Sequence, residues 1–129
     1  MTPDQIDRVD LIVKRIAASD EFAIGFYDRL FEAAPETRAL FPDLDAQRDK
    51  LRTELETLVR LIRNMNELEA EAGALGSRHR SYGVRAAHYR LARDAMTGAL
   101  EDLLGDDFTP PDREAWSRAY DLIAELMQA

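Results

Sequence analysis

The sequence predicts an all-α fold of six to seven helices, in one domain spanning residues 1–129. Three observations carry that expectation. Apolar residues recur at the 3.6-residue helical period along almost every segment, and no stretch shows sustained strand alternation. Proline, glycine and capping residues punctuate the periodic runs where helices would start and stop. The composition, 46% hydrophobic and 33% charged, is enough for a real core beneath a solvated surface.

Each element can be justified in turn. Thr2-Pro3-Asp4-Gln5 is a helix opening with proline at the first helical position, followed by the stripe Ile6, Val9, Val13, Ile16, Ala17. Ser19-Asp20-Glu21 restarts a second helix, dense in aromatics at Phe22, Phe26, Tyr27 and Phe31. Pro35 opens a short helical turn. Phe41-Pro42-Asp43 ends it, because a residue before proline avoids the helical region. A long helix is expected from about Asp45 to about Asn64, with Leu51, Leu55, Leu58, Val59 and Ile62 on one face. A shorter one, from about Glu67 to Arg80, aligns Leu68, Leu75 and His79 before Gly83 breaks it. The next, from about Ala86 to Leu104, buries Tyr89, Ala92, Met96, Leu100 and Leu103, and Gly105 closes it. Thr109-Pro110-Pro111-Asp112 then opens the last helix, carrying Trp116, Ala119, Tyr120, Ile123 and Met127.

Charge and composition exclude several functions. A net charge of −8 opposes nucleic acid and anionic membrane surfaces, whose own negative charge would repel it. No apolar run approaches the roughly 20 residues of a membrane span, and the acidic N-terminus lacks a secretory h-region. Zero cysteines remove any disulfide framework, and only two histidines leave no multi-histidine metal cage. A cytoplasmic protein is expected. Arg8, Lys14, Arg15, Arg29 and Arg38 are scattered, and no nucleophile–base pair, phosphate loop or paired-carboxylate signature stands out.

Three polar residues fall on apolar faces. Gln47 extends the stripe of Leu51 and Leu55 back by one turn, so it is either buried against a polar partner or simply exposed near the helix start. Burying its amide without a partner would cost about 1–3 kcal/mol. Tyr27 lies among aromatics, a core ring whose hydroxyl needs a partner. His79 is either a satisfied core histidine or a ligand, and its neighbours Arg78 and Arg80 favour a neutral imidazole. His88 reads as solvent-facing and structural, and Asp106-Asp107 and Glu67 to Glu71 as solvated surface.

Taken together, several motifs resemble the globins, specifically bacterial single-domain haemoglobins similar to the globin module of flavohaemoglobins. Phe26-Tyr27-Asp28-Arg29-Leu30-Phe31 resembles a second-helix motif whose tyrosine faces the ligand side of the haem. Arg38-Ala39-Leu40-Phe41 resembles the segment whose phenylalanine packs on the porphyrin. Gln47-Arg48-Asp49-Lys50-Leu51 resembles the opening of the distal helix, and Arg78-His79-Arg80 through His88-Tyr89 the proximal segment. Trp116-Ser117-Arg118-Ala119-Tyr120 resembles the final helix, so the similarity covers nearly the whole chain.

The resemblance implies a globin fold around one haem b (iron protoporphyrin IX), with His79 as the proximal iron ligand. Its second ring nitrogen would donate to a backbone carbonyl near Leu75. Tyr27 and Gln47 would serve the gaseous ligand, and Phe41, Lys50, Leu51, Leu75, Val84, Tyr89 and Met96 would line the cofactor. The implied function is reversible binding of O2, with NO and CO as further ligands. NO detoxification as a nitric oxide dioxygenase would need an external reductase, because no flavin or nicotinamide domain follows. A haem-based gas or redox sensor acting through a protein partner is the alternative, and a globin fold without haem is the third reading. The protein would be a monomer or homodimer.

Two departures stand out. Arg90 occupies a position where relatives carry proline, and the last-helix glutamate that joins histidine and tyrosine in flavohaemoglobins has no match at Glu125. The short connection from Phe41 to Gln47 is expected to leave the start of the distal helix mobile.

Overall fold

The computed structural model describes residues 1–129 and contains six α-helices and no strand. The helices are α1 (Pro3–Ala17), α2 (Glu21–Ala33), α3 (Leu44–Leu61), α4 (Met65–Ser81), α5 (Ala86–Leu104) and α6 (Pro110–Gln128), with short 3₁₀ turns at Pro35–Leu40 and Gly105–Asp107. The all-α expectation holds. The boundaries of α3 and α4 differ from those read in the sequence because caps set them. Asp43 Oδ1 accepts from Ala46 N (3.2 Å), starting α3, and Asn64 Oδ1 accepts from Glu67 N (3.3 Å), starting α4.

The remaining ends follow the local chemistry. Thr2 with Gln5 and Thr109 with Asp112 form reciprocal capping boxes, each with proline in the first turn. Thr37, buried at the 35–40 turn, satisfies its hydroxyl by donating to Ala34 O (2.7 Å). Gly83 leaves α4 with φ +93°, a conformation that L side chains rarely adopt.

The packing is uneven. α1 lies against α3 and α6, α2 crosses α5, and α4 rests on α6 and α3. Val9, Phe22, Leu68, Leu100 and Ala115 are wholly buried where these helices converge. Phe22 and Trp116 meet edge to face with ring centroids 6.3 Å apart. By contrast, α4 makes no extensive packing with α5. On α3, α4 and α5, Leu51, Leu55, Leu75, Tyr89, Leu91 and Ala92 pack against the core but are only half-buried. No helix is long and apolar enough to cross a membrane.

Candidate functional site

Helix spacing delivers the site residues. On α2, Tyr27 is 2% exposed and its ring lies edge-on to Phe41, with centroids 5.2 Å apart. Phe31 and Phe41 complete the cluster at 6.0 Å. The tyrosine hydroxyl lies near Gln47 of α3. Burial pushes its pKa up to about 12, against smaller lowering from Gln47 and from the nearby Arg48. Tyr27 is therefore a neutral O–H donor at physiological pH. Gln47 is half-buried, between its two readings, with Tyr27 as a polar neighbour. Leu51, one turn on, is half-buried on the same face. Lys50 is exposed and forms no ion pair, whereas Met96 belongs to the buried core.

His79 stands one turn past Leu75 on α4, and its Nδ1 donates to Leu75 O at 2.8 Å. Donation to a carbonyl fixes the tautomer: Nδ1 carries the proton and Nε2 keeps its lone pair. No protein group bonds Nε2. Burial lowers the imidazole pKa below its usual value and Arg78 adds to this, although the Leu75 carbonyl opposes it. The result is a neutral imidazole presenting one free nitrogen. Val84 closes this segment through its backbone, Val84 N donating to His79 O (3.0 Å). His88 is structural as expected, its Nδ1 accepting from Arg85 N (2.9 Å) at the start of α5, although it is half-buried rather than fully solvent-facing.

Sequence reasoning missed Glu54. It lies three residues after Leu51, on the inner side of α3, and that spacing was the available signal. Its Oε1 is buried without a hydrogen-bond partner, and Arg78 Nη2 stays 3.8 Å away. Burial first, then the adjacent Glu71, raise its pKa above the ordinary 4.5. A carboxyl whose folded pKa is raised favours folding at low pH and loses that contribution as pH climbs through the raised value. Glu54→Gln should therefore raise the melting temperature at pH 7, with the gain vanishing as the pH approaches 4.5. A scan showing the same gain at both pH values would contradict this.

The donor set bears on which cofactor fits. No group of three His, Cys, Asp or Glu residues is assembled that could hold a bare metal ion. What is present is one neutral imidazole with a free nitrogen, half-buried apolar side chains on α3, α4 and α5, and the Tyr27–Gln47 pair. That combination fits a flat apolar macrocycle whose metal needs a single protein ligand. On α5, the Tyr89 hydroxyl is buried without a partner, while its carbonyl accepts from the Tyr120 hydroxyl (2.5 Å).

Comparison with known proteins decides the family, because the Globin family profile matches residues 24–127. The chain belongs to the globin family. This globin is 32% identical over 104 residues to a flavohemoprotein of Bacillus subtilis (strain 168). The match covers 78% of the chain but 26% of that relative, so the chain spans about a quarter of its length. Among solved structures, an engineered carbene transferase, whose Rhodothermus marinus parent is assigned as a nitric oxide dioxygenase, superposes with TM-score 0.86 at 30% identity. That match covers 98% of this globin and 90% of the other chain. Deoxy haemoglobin of Dasyatis akajei also gives 0.86, at 18% identity over 99% and 96% of the two chains, a likeness of fold alone.

Proposed function

We propose that this globin binds haem b and uses it to hold diatomic gases, with NO detoxification as the activity when an external reductase supplies electrons. The observation that carries the reading is His79: neutral, oriented by the Leu75 carbonyl, with Nε2 free to ligate iron. Phe41, Leu51, Leu75, Val84, Tyr89 and Met96 would contact the macrocycle, and exposed Lys50 would lie toward its carboxylate edge. When bound, the haem iron supplies an open position for O2, NO or CO.

The chain's own residues do the rest. The Leu75 carbonyl holds the His79 ring and keeps the proton on Nδ1, which preserves Nε2 as a ligand. Phe31 and Phe41 exclude water from the Tyr27 side. Tyr27 keeps its proton well above neutral pH and donates toward a gas with partial negative charge. The Gln47 amide both orients Tyr27 and offers a second donor. Each donor contributes about 1–2 kcal/mol in a dry pocket.

Two donors favour tight O2 binding and slow release, which suits scavenging better than delivery. Tyr27→Phe should speed O2 dissociation by about 5- to 30-fold, the equivalent of one such bond lost. A stopped-flow off-rate equal to wild type would remove Tyr27 from the ligand side. Reductase-coupled NO consumption separates this reading from a sensor, which would show none.

A further inference from the structure

Charge is segregated along the chain. Between Ala72 and Arg93 lie five of the 17 basic residues, Arg78, Arg80, Arg85, Arg90 and Arg93, and none of the 25 acidic ones. The fold gathers most of this stretch at one corner. The 82–85 connection folds back on the end of α4, with Tyr82 N donating to Arg78 O (3.2 Å) and Gly83 N to Arg80 O (3.0 Å), before α5 begins.

The local counter-charges are few. Arg93 pairs with Asp121 (3.1 Å), Arg78 stands 3.8 Å from Glu54, and Glu125 shares the α5–α6 groove with Arg90. Arg80 reaches only a backbone oxygen, Met127 O (2.9 Å), and Arg85 and Arg90 have no carboxylate partner at all. In the middle stands Tyr82, 65% exposed, the most exposed large hydrophobic side chain of the protein. Aromatic and arginine side chains together are what protein interfaces enrich.

We infer that this corner, the end of α4 and the start of α5 beside His79, is the docking surface for the acidic face of a one-electron donor protein carrying a flavin or an iron–sulfur group. The inference rests on the haem-binding reading proposed above. Charge complementarity selects the occupant: an acidic protein face is attracted by the arginines and can turn away from the acidic remainder of the molecule. Nucleic acid or an anionic membrane would meet that remainder over a larger area and be repelled. The location selects the chemistry, since His79 lies within the same segment. The step served is balanced by one electron: the donor's reduced group is oxidised by one, ferric haem is reduced to ferrous, and no proton moves at the surface.

The test measures binding on the haem-loaded protein, with a plant-type 2Fe–2S ferredoxin and a flavodoxin as acidic probes. Dissociation constants are taken at about 20 mM and about 200 mM salt. Arg85→Glu/Arg90→Glu is compared with Lys14→Glu, a reversal on the exposed side of α1, after circular dichroism confirms that both fold. The double reversal should weaken binding by about tenfold or more and flatten its salt dependence, whereas Lys14→Glu should change it less than about twofold. Equal losses in the two variants, no loss, or binding of neither probe by wild type overturns the proposal. So does preference for duplex DNA or phosphatidylserine vesicles over both probes. The visible spectrum keeps the readings apart. Normal haem uptake with no arginine-dependent binding overturns the docking surface alone, while absent haem uptake overturns the functional reading and the donor assignment with it.

Discussion

His79→Ala should lose haem affinity by more than about 100-fold. Groups that merely orient a metal ligand, as the Leu75 carbonyl does here, are worth roughly 10- to 100-fold, and the ligand itself must exceed them. The half-buried faces of α3, α4 and α5 remain in the variant, so weak apolar association is expected, without the spectrum of a histidine-bound iron. The measurement is a haemin titration with ferric, dithionite-reduced and CO-bound spectra. Wild type should give a stoichiometric Soret band that shifts with CO, and the variant should lose or alter it. Added imidazole should restore part of the signal by refilling the vacated position. Identical spectra for both proteins would show that His79 is not the ligand, and no uptake by wild type would leave a globin fold without haem.

The second large effect is expected on the same helix, far from any chemistry. Gly76 is buried where α4 crosses the end of α6, and a Cβ there would sit 1.8 Å from Met127 O and 2.6 Å from its carbonyl carbon. The obstacle is backbone, so it cannot be relieved by a rotamer change, and α4 must move away. Gly76→Ala should cost about 3 kcal/mol, the upper end of overpacking penalties. In a chain of this size that lowers the melting temperature by roughly 10 °C. Since His79 stands one turn further along α4, haem uptake should weaken as well. Gly73→Ala is the internal control. Nothing lies within 4 Å of its added Cβ, so it should gain about 0.5–1 kcal/mol from helix propensity alone. Two glycine-to-alanine changes in one helix should thus move stability in opposite directions. Equal melting temperatures for the pair would refute the close approach of α4 and α6.

Those two glycines also show where the sequence stops being legible. Both stand in the same alanine- and glycine-rich run, and only the close approach of Met127 on distant α6 separates them. What local rules govern was readable: the 3.6 period gave the helices, and Thr2, Pro35, Gly83 and Thr109 gave most of their ends. The starts of α3 and α4 were missed by one or two residues because Asp43 and Asn64 act through side-chain geometry that composition does not reveal. At the site, His79 was visible by its spacing from Leu75, and their hydrogen bond is present. Tyr27 and Gln47 needed α2 and α3 to be brought together before their contact could appear. Glu54 was hidden for the same reason. Its spacing from Leu51 marked the inner side of α3, but the company of Glu71 and Arg78 on α4 was not written in that period.

The pairing of α1 with α6 has a consequence for the protein's birth. Val9, Ile12 and Ile16 are sealed in a core that also holds Ala115, Trp116 and Ala119 of the final helix, and Arg8 is tied to Asp112 at 3.0 Å. During synthesis α1 therefore waits for α6. Until α6 emerges, the apolar stripe of α1 has only part of its eventual cover, and the nascent chain carries that stripe while α2 to α5 are made. Closing so distant a contact is entropically slow, so the rate of folding should be governed by the meeting of α1 with α6 rather than by formation of any single helix.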